Sequence, residues 1–352
     1  MRISQIETPA LIVDLDVMEG NMARMKELLK PLGAALRPHY KSNKCTAIVK
    51  KQLAYGAKGI TCAKLGEAED LIRAGVEDVL IANQVVEPGK IARVAYLANC
   101  CRLAVCVDTE ENILALSRAA QFAQSTLHCL VEYDIGMRRC GVTTKEAALA
   151  LAKAILAAPN LSFMGIQAYA GNLAHEYDDA ARTGGSDAVE EDLRALKAYF
   201  EENGVAIPEI SGVSTGTVEK RREGTVYTEV QAGSYIFMDA AYRKVGAGFA
   251  HSLFMLASVV SADEDHLVVD AGMKSLGVDQ GSPLFVDYPE AKVDMSEEHA
   301  TAYIKNTAAA GEKLKLIPGH CCTTVNLSDM LYFVRGDKVV DCVPVTSRGK
   351  SL

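Results

Sequence analysis

The chain has 352 residues, 49% of them hydrophobic and 23% charged, the balance of a globular protein with room for one large and one smaller domain. A formal net charge of -8 gives no general attraction for nucleic acid, and no apolar run approaches the roughly 18 residues that span a bilayer. Met1–Pro9 carries Glu7 and no apolar core, so no signal peptide is read there, and the ten cysteines are expected as buried thiols or ligands in a reducing cytoplasm.

From about residue 10 to 244, short apolar runs alternate with helical patterns, which predicts parallel β/α units. Asp16 is placed to cap the first helix, Met18, Met22, Met25 and Leu29 mark one face of it, and Pro31 and Gly33 close it. Strands are predicted near 36–40, 59–63, 79–82, 103–108, 129–133, 164–169, 209–213 and 230–236. Segments rich in Ala, Leu, Glu and Lys, such as 147–158 and 187–203, separate most of them. Eight such strands predict an α/β fold, a closed (β/α)8 TIM-like barrel over 10–244 with its active site at the C-terminal strand ends; a doubly wound open sheet is the alternative. The pair Cys100–Cys101 reads as core packing.

After residue 245 the pattern changes to two-residue alternation broken by Gly272, Gly277, Gly281 and Gly336. Strands near 252–261, 266–270, 315–317 and 339–344 predict a mostly antiparallel C-terminal β-domain, formed by 1–9 plus 245–352.

Four segments carry candidate chemistry. Lys41 ends the first predicted strand, where desolvation and the neighbouring cations Arg37 and Lys44 favour a neutral, Schiff-base-competent amine; on composition Lys44 is an equal candidate. Ser214-Thr215-Gly216-Thr217 follows the seventh strand and Gly233-Ser234-Tyr235 falls at the eighth, where barrels hold phosphate with backbone N–H groups and hydroxyls. A strand-1 lysine opposite a phosphate cradle is the layout that pyridoxal 5'-phosphate (PLP) needs. Arg139, after the fifth strand, suits an anionic cofactor atom or a substrate carboxylate, and Tyr169, ending the sixth, could contact a cofactor ring. His320 and Cys322, two apart on a segment expected to be extended, would share a face and suit Zn2+.

Taken together these residues resemble the D-serine dehydratase and D-threonine aldolase family of fold-type III PLP enzymes, relatives of alanine racemase. The motifs are Thr8-Pro9-Ala10-Leu11, Arg37-Pro38-His39-x-Lys41, Gly136-Met137-x-Arg139-x-Gly141 and Ser214-Thr215-Gly216-Thr217. They continue with Val269-Asp270-Ala271-Gly272-x-Lys274 and Pro318-x-His320-x-Cys322 followed by Val325-Asn326-Leu327. The resemblance implies that Lys41 rather than Lys44 carries PLP. Thr215, Gly216, Gly233 and Tyr235 would hold its phosphate, Arg139 and Tyr169 would flank the ring, and His320 and Cys322 would bind the metal, zinc with manganese as the alternative. It also implies a homodimer and a small D-amino acid substrate. Asn43 departs from the family pattern, which usually has His there.

The expected reaction is a D-serine or D-threonine dehydratase: Lys41 takes the Cα proton and zinc eases loss of the β-hydroxyl. The alternative is a D-threonine aldolase, in which the Cα–Cβ bond breaks to give glycine and an aldehyde. The thiolate of Cys322 is read as favouring the dehydratase, since an aldolase of this family tends to carry a carboxylate for a harder ion. An amino-acid racemase is a further reading, opposed by the His320–Cys322 pair, and a PLP-binding homeostasis protein is another, opposed by the long β-domain that carries the pair.

Overall fold

The structure, a computed structural model, describes residues 1–305 and 307–352. Eight parallel strands form one curled sheet: Ala35–Leu36, Ile60–Cys62, Asp78–Gln84, Arg102–Val107, Leu127–Glu132, Leu161–Ala168, Glu209–Gly212 and Glu229–Val230. From Ile60–Cys62 onward each pairs with the next, and Glu229–Val230 pairs back onto Ala35–Leu36. Lys58 N donates to Leu36 O at 2.8 Å and Thr61 N to Pro38 O at 3.0 Å, so the two margins meet and the sheet closes on itself.

The strands read as unbroken apolar runs because both of their faces are buried. Leu80, Ala104, Cys106, Leu130 and Met164 make one cluster of this interior. The helices between them start at capping residues: Thr109 accepts from Asn112 N at 3.3 Å, Thr144 from Ala147 N at 3.2 Å and Asp178 from Ala181 N at 2.7 Å. The eighth strand is shorter than 230–236, with Ser234–Ile236 a 3-10 turn, because its neighbours Ala35–Leu36 and Glu209–Gly212 present so few pairing partners.

The chain divides into two compact units. One comprises Met1–Met25, Lys41–Ile48 and Ser234–Gly349, the other Lys26–Tyr40, Val49–Gly233 and Lys350–Leu352. The expected division at residues 10 and 244 is therefore shifted. Ala10–Asp14 pairs antiparallel with Leu253–Ala262 and parallel with Met330–Arg335, in the second, mixed sheet. An apolar run such as Ala-Leu-Ile-Val is buried in either sheet, so its composition does not reveal which one takes it.

That sheet runs Lys292–Met295, Ala300–Tyr303, His266–Val269, Leu253–Ala262, Ala10–Asp14, Met330–Arg335, Lys338–Pro344. Lys313–Ile317 also pairs with Leu253–Ala262, and Leu284–Phe285 with Lys313–Ile317. The first helix, Leu15–Leu29, buries Met18, Met22, Met25 and Leu29 as expected. Its cap is Asp14, whose Oδ1 accepts from Val17 N at 3.2 Å, while Asp16 pairs with Arg335. Cys100 is exposed, which corrects its reading as core.

Arg37, expected beside Lys41 as an activating cation, is instead fully buried in its own unit. Its guanidinium donates to Glu229 at 2.8 and 2.9 Å and to Asp78 at 2.6 and 3.1 Å. Lys58 adds contacts to Glu209 at 2.6 Å and Glu229 at 2.8 Å, and Arg102 one to Asp78 at 2.9 Å. Burial alone would raise the Glu229 carboxyl, but Arg37 overturns that and holds it at about 2, below its ordinary 4.5. A depressed carboxyl stabilises the fold fully above 4.5, and that contribution fades as pH falls towards about 2. Arg37→Met should therefore cost about 3–5 kcal/mol at neutral pH by stranding Glu229, and less at pH ~4, where the stranded carboxyl takes up a proton. Urea denaturation at both pH values checks this, and a pH-independent loss would contradict it.

Candidate active site

In the unit of the mixed sheet, Lys41 lies in the 3-10 turn Tyr40–Ser42 and remains partly accessible. Lys44, its rival on composition, is buried and donates from Nζ to Ser347 O at 3.4 Å, which assigns it to the fold. Asn43 is also buried, and its Oδ1 accepts from Cys45 N at 3.0 Å. Lys44 holds a left-handed φ of 45°, a strained conformation for a residue with a side chain.

The segment after Gly319 is not extended. His320 is the residue before a helix, Cys321–Leu327, and Cys322 lies in its first turn. The shared strand face expected for His320 and Cys322 is thus replaced by a helix start. The physical reason lies in Asp239: its Oδ2 accepts from Cys321 N at 2.9 Å, while its Oδ1 accepts from Tyr242 N at 2.9 Å. One buried carboxylate satisfies the first turns of two helices, Cys321–Leu327 and Ala240–Val245.

Cys322 Sγ lies 3.4 Å from Ser42 Oγ and 3.7 Å from Ser234 Oγ. Its thiol is held well below the ordinary range by the Cys321 thiol and, against burial, by His320 and the charge of Lys41. His320 moves the other way: burial opposes its charged form, yet Cys322 and Asp279 raise it to about 9. Asp279 Oδ2 sits 2.6 Å from His320 Nδ1, and its Oδ1 accepts from Thr323 Oγ1 at 2.6 Å. An ionised carboxylate only accepts, so Nδ1–H donates to Asp279, while the ring also interacts with the Cys322 thiol. Among the described residues no group of three or more His, Cys, Asp and Glu side chains is assembled to hold a metal. Tyr235 is fully buried with its ring edge-on to Phe249 at 5.6 Å.

In the barrel unit, the loop after Glu209–Gly212 carries Ser214, Thr215, Gly216 and Thr217. It opens with Val213 at φ 67°, a conformation that a β-branched residue rarely adopts. Thr217 Oγ1 accepts from Ser214 N at 3.1 Å, and the two hydroxyls lie 3.0 Å apart, which fixes the turn. Gly216 is required by packing, since a Cβ there would sit 2.1 Å from Ala174 O. Thr215 Oγ1 is buried and has no hydrogen-bond partner. Buried hydroxyls are nearly always paired, so a buried orphan on a strained loop fits a site for a polar ligand. Gly233 is buried at the end of the same unit. Arg139 is half-exposed, with its guanidinium 6.0 Å from the Tyr169 ring centre and 3.9 Å from Glu132 Oε1. Sequence reasoning missed Asp239, Asp279 and Ser42; a lone Asp or Ser in a loop gives no periodic signal.

Lys41, Ser42, Ser234, His320 and Cys322 thus gather in one unit, and Arg139, Tyr169, Thr215, Gly216 and Gly233 belong to the other. A closed parallel sheet of eight strands, with its loops at the C-terminal strand ends, is the architecture of the (β/α)8 barrel enzymes. A family model described as alanine racemase, N-terminal domain, matches residues 13–241, and one described as putative serine dehydratase domain matches 252–334. The chain belongs to the fold-type III, alanine racemase-like family of PLP-dependent lyases that includes D-threonine aldolases and D-serine dehydratases.

The 3-hydroxy-D-aspartate aldolase of Paracoccus denitrificans (strain Pd 1222) is 40% identical, over 99% of this chain and 93% of its own. The D-threonine aldolase of Arthrobacter sp is 36% identical, over 99% and 94%. The crystal structure of D-threonine aldolase from Filomicrobium marinum matches with a TM-score of 0.96 at 36% identity, covering 100% of this chain and 98% of that one. The D-threo-3-hydroxyaspartate dehydratase of Delftia sp. (strain HT23) is 29% identical over 91% of this chain and 92% of its own. These identities do not favour the dehydratase that was expected. The softness of the Cys322 donor decides which ion binds tightly.

Because Thr215 Oγ1 makes no bond within the protein, Thr215→Val should leave stability unchanged or slightly raised. Thermal denaturation of the cofactor-free protein checks this, and a clear loss would show that the hydroxyl has a structural role.

Proposed function

We propose that the protein is a PLP-dependent aldolase that cleaves β-hydroxy-D-amino acids to glycine and an aldehyde. The observation that carries it is the 36–40% identity to two aldolases along 99% of the chain, against 29% to a dehydratase. Lys41 is the residue proposed to carry PLP, and Thr215, Gly216, Gly233, Ser234 and Tyr235 are proposed to line its phosphate, with Arg139 and Tyr169 beside the ring. The orphaned Thr215 hydroxyl supports this, since a phosphate oxygen would be its missing partner.

When bound, PLP supplies an electron sink for the pair left on Cα. The β-hydroxyl would pass its proton to solvent as the Cα–Cβ pair moves toward Cα, and the β-carbon would leave as an aldehyde. Lys41, which would hold the group, also carries the amine that would deliver a proton to Cα and so complete glycine. His320 Nε2 and Cys322 Sγ are proposed to hold a divalent ion, zinc on donor type, which would acidify a β-hydroxyl bound to it. Asp279 orients the His320 ring for that role at 2.6 Å. Cys322 Sγ donates to Ser42 Oγ at 3.4 Å, and Ser234 Oγ lies 3.7 Å from the same sulfur. The proposed assembly is a homodimer.

D-threonine, 3-hydroxy-D-aspartate, D-serine and their L-forms, supplied separately with PLP and zinc, distinguish the readings. Glycine from the D-forms alone is expected; 2-oxo acid and ammonia in its place would overturn the aldolase and restore the dehydratase. Lys41→Ala should abolish turnover and the cofactor adduct that borohydride fixes to the chain. A chelator should remove most activity, with zinc or manganese restoring it, and full activity after exhaustive chelation would sink the metal assignment. Thr215→Val should weaken PLP binding by about tenfold, the worth of one hydrogen bond to a charged group.

A further inference from the structure

Glu132 ends the barrel strand Leu127–Glu132, on the face where barrel enzymes do their chemistry, and the mechanism above gives it no task. It is buried, with Oε2 accepting from Gln84 Nε2 at 2.6 Å. Gln84 itself ends the strand Asp78–Gln84. The other carboxylate oxygen, Oε1, is the one that lies 3.9 Å from Arg139 Nη2.

Arg139 is carried by a loop that the fold pins at several points. Asp134 Oδ1 accepts from Gly136 N at 2.9 Å, Met137 N at 2.9 Å and Arg138 N at 3.1 Å. Gly141 N donates to Asp108 Oδ2 at 3.1 Å. Gly141 also passes close to the strand end, since a Cβ there would lie 2.8 Å from Glu132 O. Gly171 is similarly tight against Met137 and Tyr169, at 2.7 and 2.8 Å from an added Cβ. The loop backbone is therefore fixed. The long Arg139 side chain is not fixed by it; its neighbours include the Tyr169 ring, the Glu132 carboxylate and the Cys140 thiol.

We infer that Glu132 is a positioning residue that holds the Arg139 guanidinium over the Tyr169 ring, presenting it to an anionic oxygen of the cofactor or of the substrate. The inference rests on the PLP reading for what Arg139 meets, but the Glu132–Arg139–Tyr169 arrangement is independent of it. A long ionic approach plus a ring face restrains the guanidinium while leaving its half-exposed edge for a ligand. Gln84 matters because it ties one carboxylate oxygen, so that the other keeps its direction. The charge has opponents. Burial pushes the Glu132 carboxyl up, and Asp108 and Asp134 add to that; Gln84 and Arg139 act against it. Cys106 and Cys140 are the remaining titratable groups beside it, and both are themselves raised, so they stay neutral thiols.

The test uses the full chain and two probes that need no bond cleavage: PLP added to cofactor-free protein, and D-alanine, which lacks a β-hydroxyl, added to the PLP-loaded protein. Both are followed by absorbance. Glu132→Gln should weaken one of the two affinities roughly fivefold, the upper worth of a solvent-screened ion pair. Loss in the PLP arm places the anion on the cofactor, and loss in the D-alanine arm alone places it on the amino-acid carboxylate. Arg139→Ala should weaken the same affinity at least as much, and the double variant should be no worse than Arg139→Ala. Glu132→Asp, which keeps the charge, should recover part of the loss. Unchanged affinities in Glu132→Gln, or losses that simply add in the double variant, overturn the inference. Should Glu132→Gln not fold, Gln84→Ala is expected to act in the same direction and to be silent beside Arg139→Ala; no effect from it counts equally against the role. A crystal structure of cofactor-free Glu132→Gln is a further readout that does not depend on PLP at all. The guanidinium should leave the Tyr169 ring, and a retained separation near 6.0 Å would sink the inference by itself.

Discussion

The barrel depends on a buried arginine. Arg37 has no exposed side-chain surface, and its guanidinium is shared between Glu229 and Asp78, which begin two different strands. An unpaired charge in that position would cost several kcal/mol, so the arrangement persists only because both carboxylates converge on one planar fork. Lys58, Arg102 and Glu209 extend the cluster. Asp78, Arg102, Glu209 and Glu229 are all first residues of their strands. The charge network thus occupies the end of the barrel opposite the loops, where selection acts on stability rather than chemistry.

That placement leaves the C-terminal strand ends able to carry strain. Val213 sits at φ 67° and opens the Ser214–Thr217 loop; Arg138 sits at φ 52° beside Arg139. Such conformations cost energy and last only where the surroundings overdetermine them. Here the surroundings are specific bonds: Thr217 to Ser214, Asp134 to three successive backbone N–H groups, Asp108 to Gly141. In the other unit, Asp239 does the same for the helix start that presents Cys322, and Asp279 for the ring of His320. A few carboxylates aim the side chains with the chemistry, and Asp134, Asp239 and Asp279 each accept more than one bond. None belongs to a periodic pattern.

Much of the architecture was nevertheless legible in the sequence. Strands buried on both faces read as short apolar runs, and helices read through the spacing of residues such as Met18, Met22, Met25 and Leu29, because burial imposes those periods on any chain that folds this way. The strands at 284–285, 292–295, 300–303 and 330–335 escaped notice. The first three are short and half-exposed, and Met330–Val334 is an unbroken apolar run whose composition hides the alternating burial of Met330, Leu331, Tyr332 and Phe333.

The sequence by itself determined the β/α alternation, the change of architecture after residue 245, and the motifs around Lys41, Ser214–Thr217 and His320–Cys322. These are local: each needs only neighbouring residues to be seen. The tertiary structure decided what depends on distance in space between residues far apart in the chain. It took Ala10–Asp14 into the mixed sheet, committed Arg37 and Lys44 to the fold, turned His320–Cys322 into a helix start, and left Thr215 Oγ1 without a partner. A hydrogen bond between residues 82 or 192 positions apart, as in Asp239–Cys321 or Arg37–Glu229, leaves no mark on the local order of residues, and so only the folded chain discloses it.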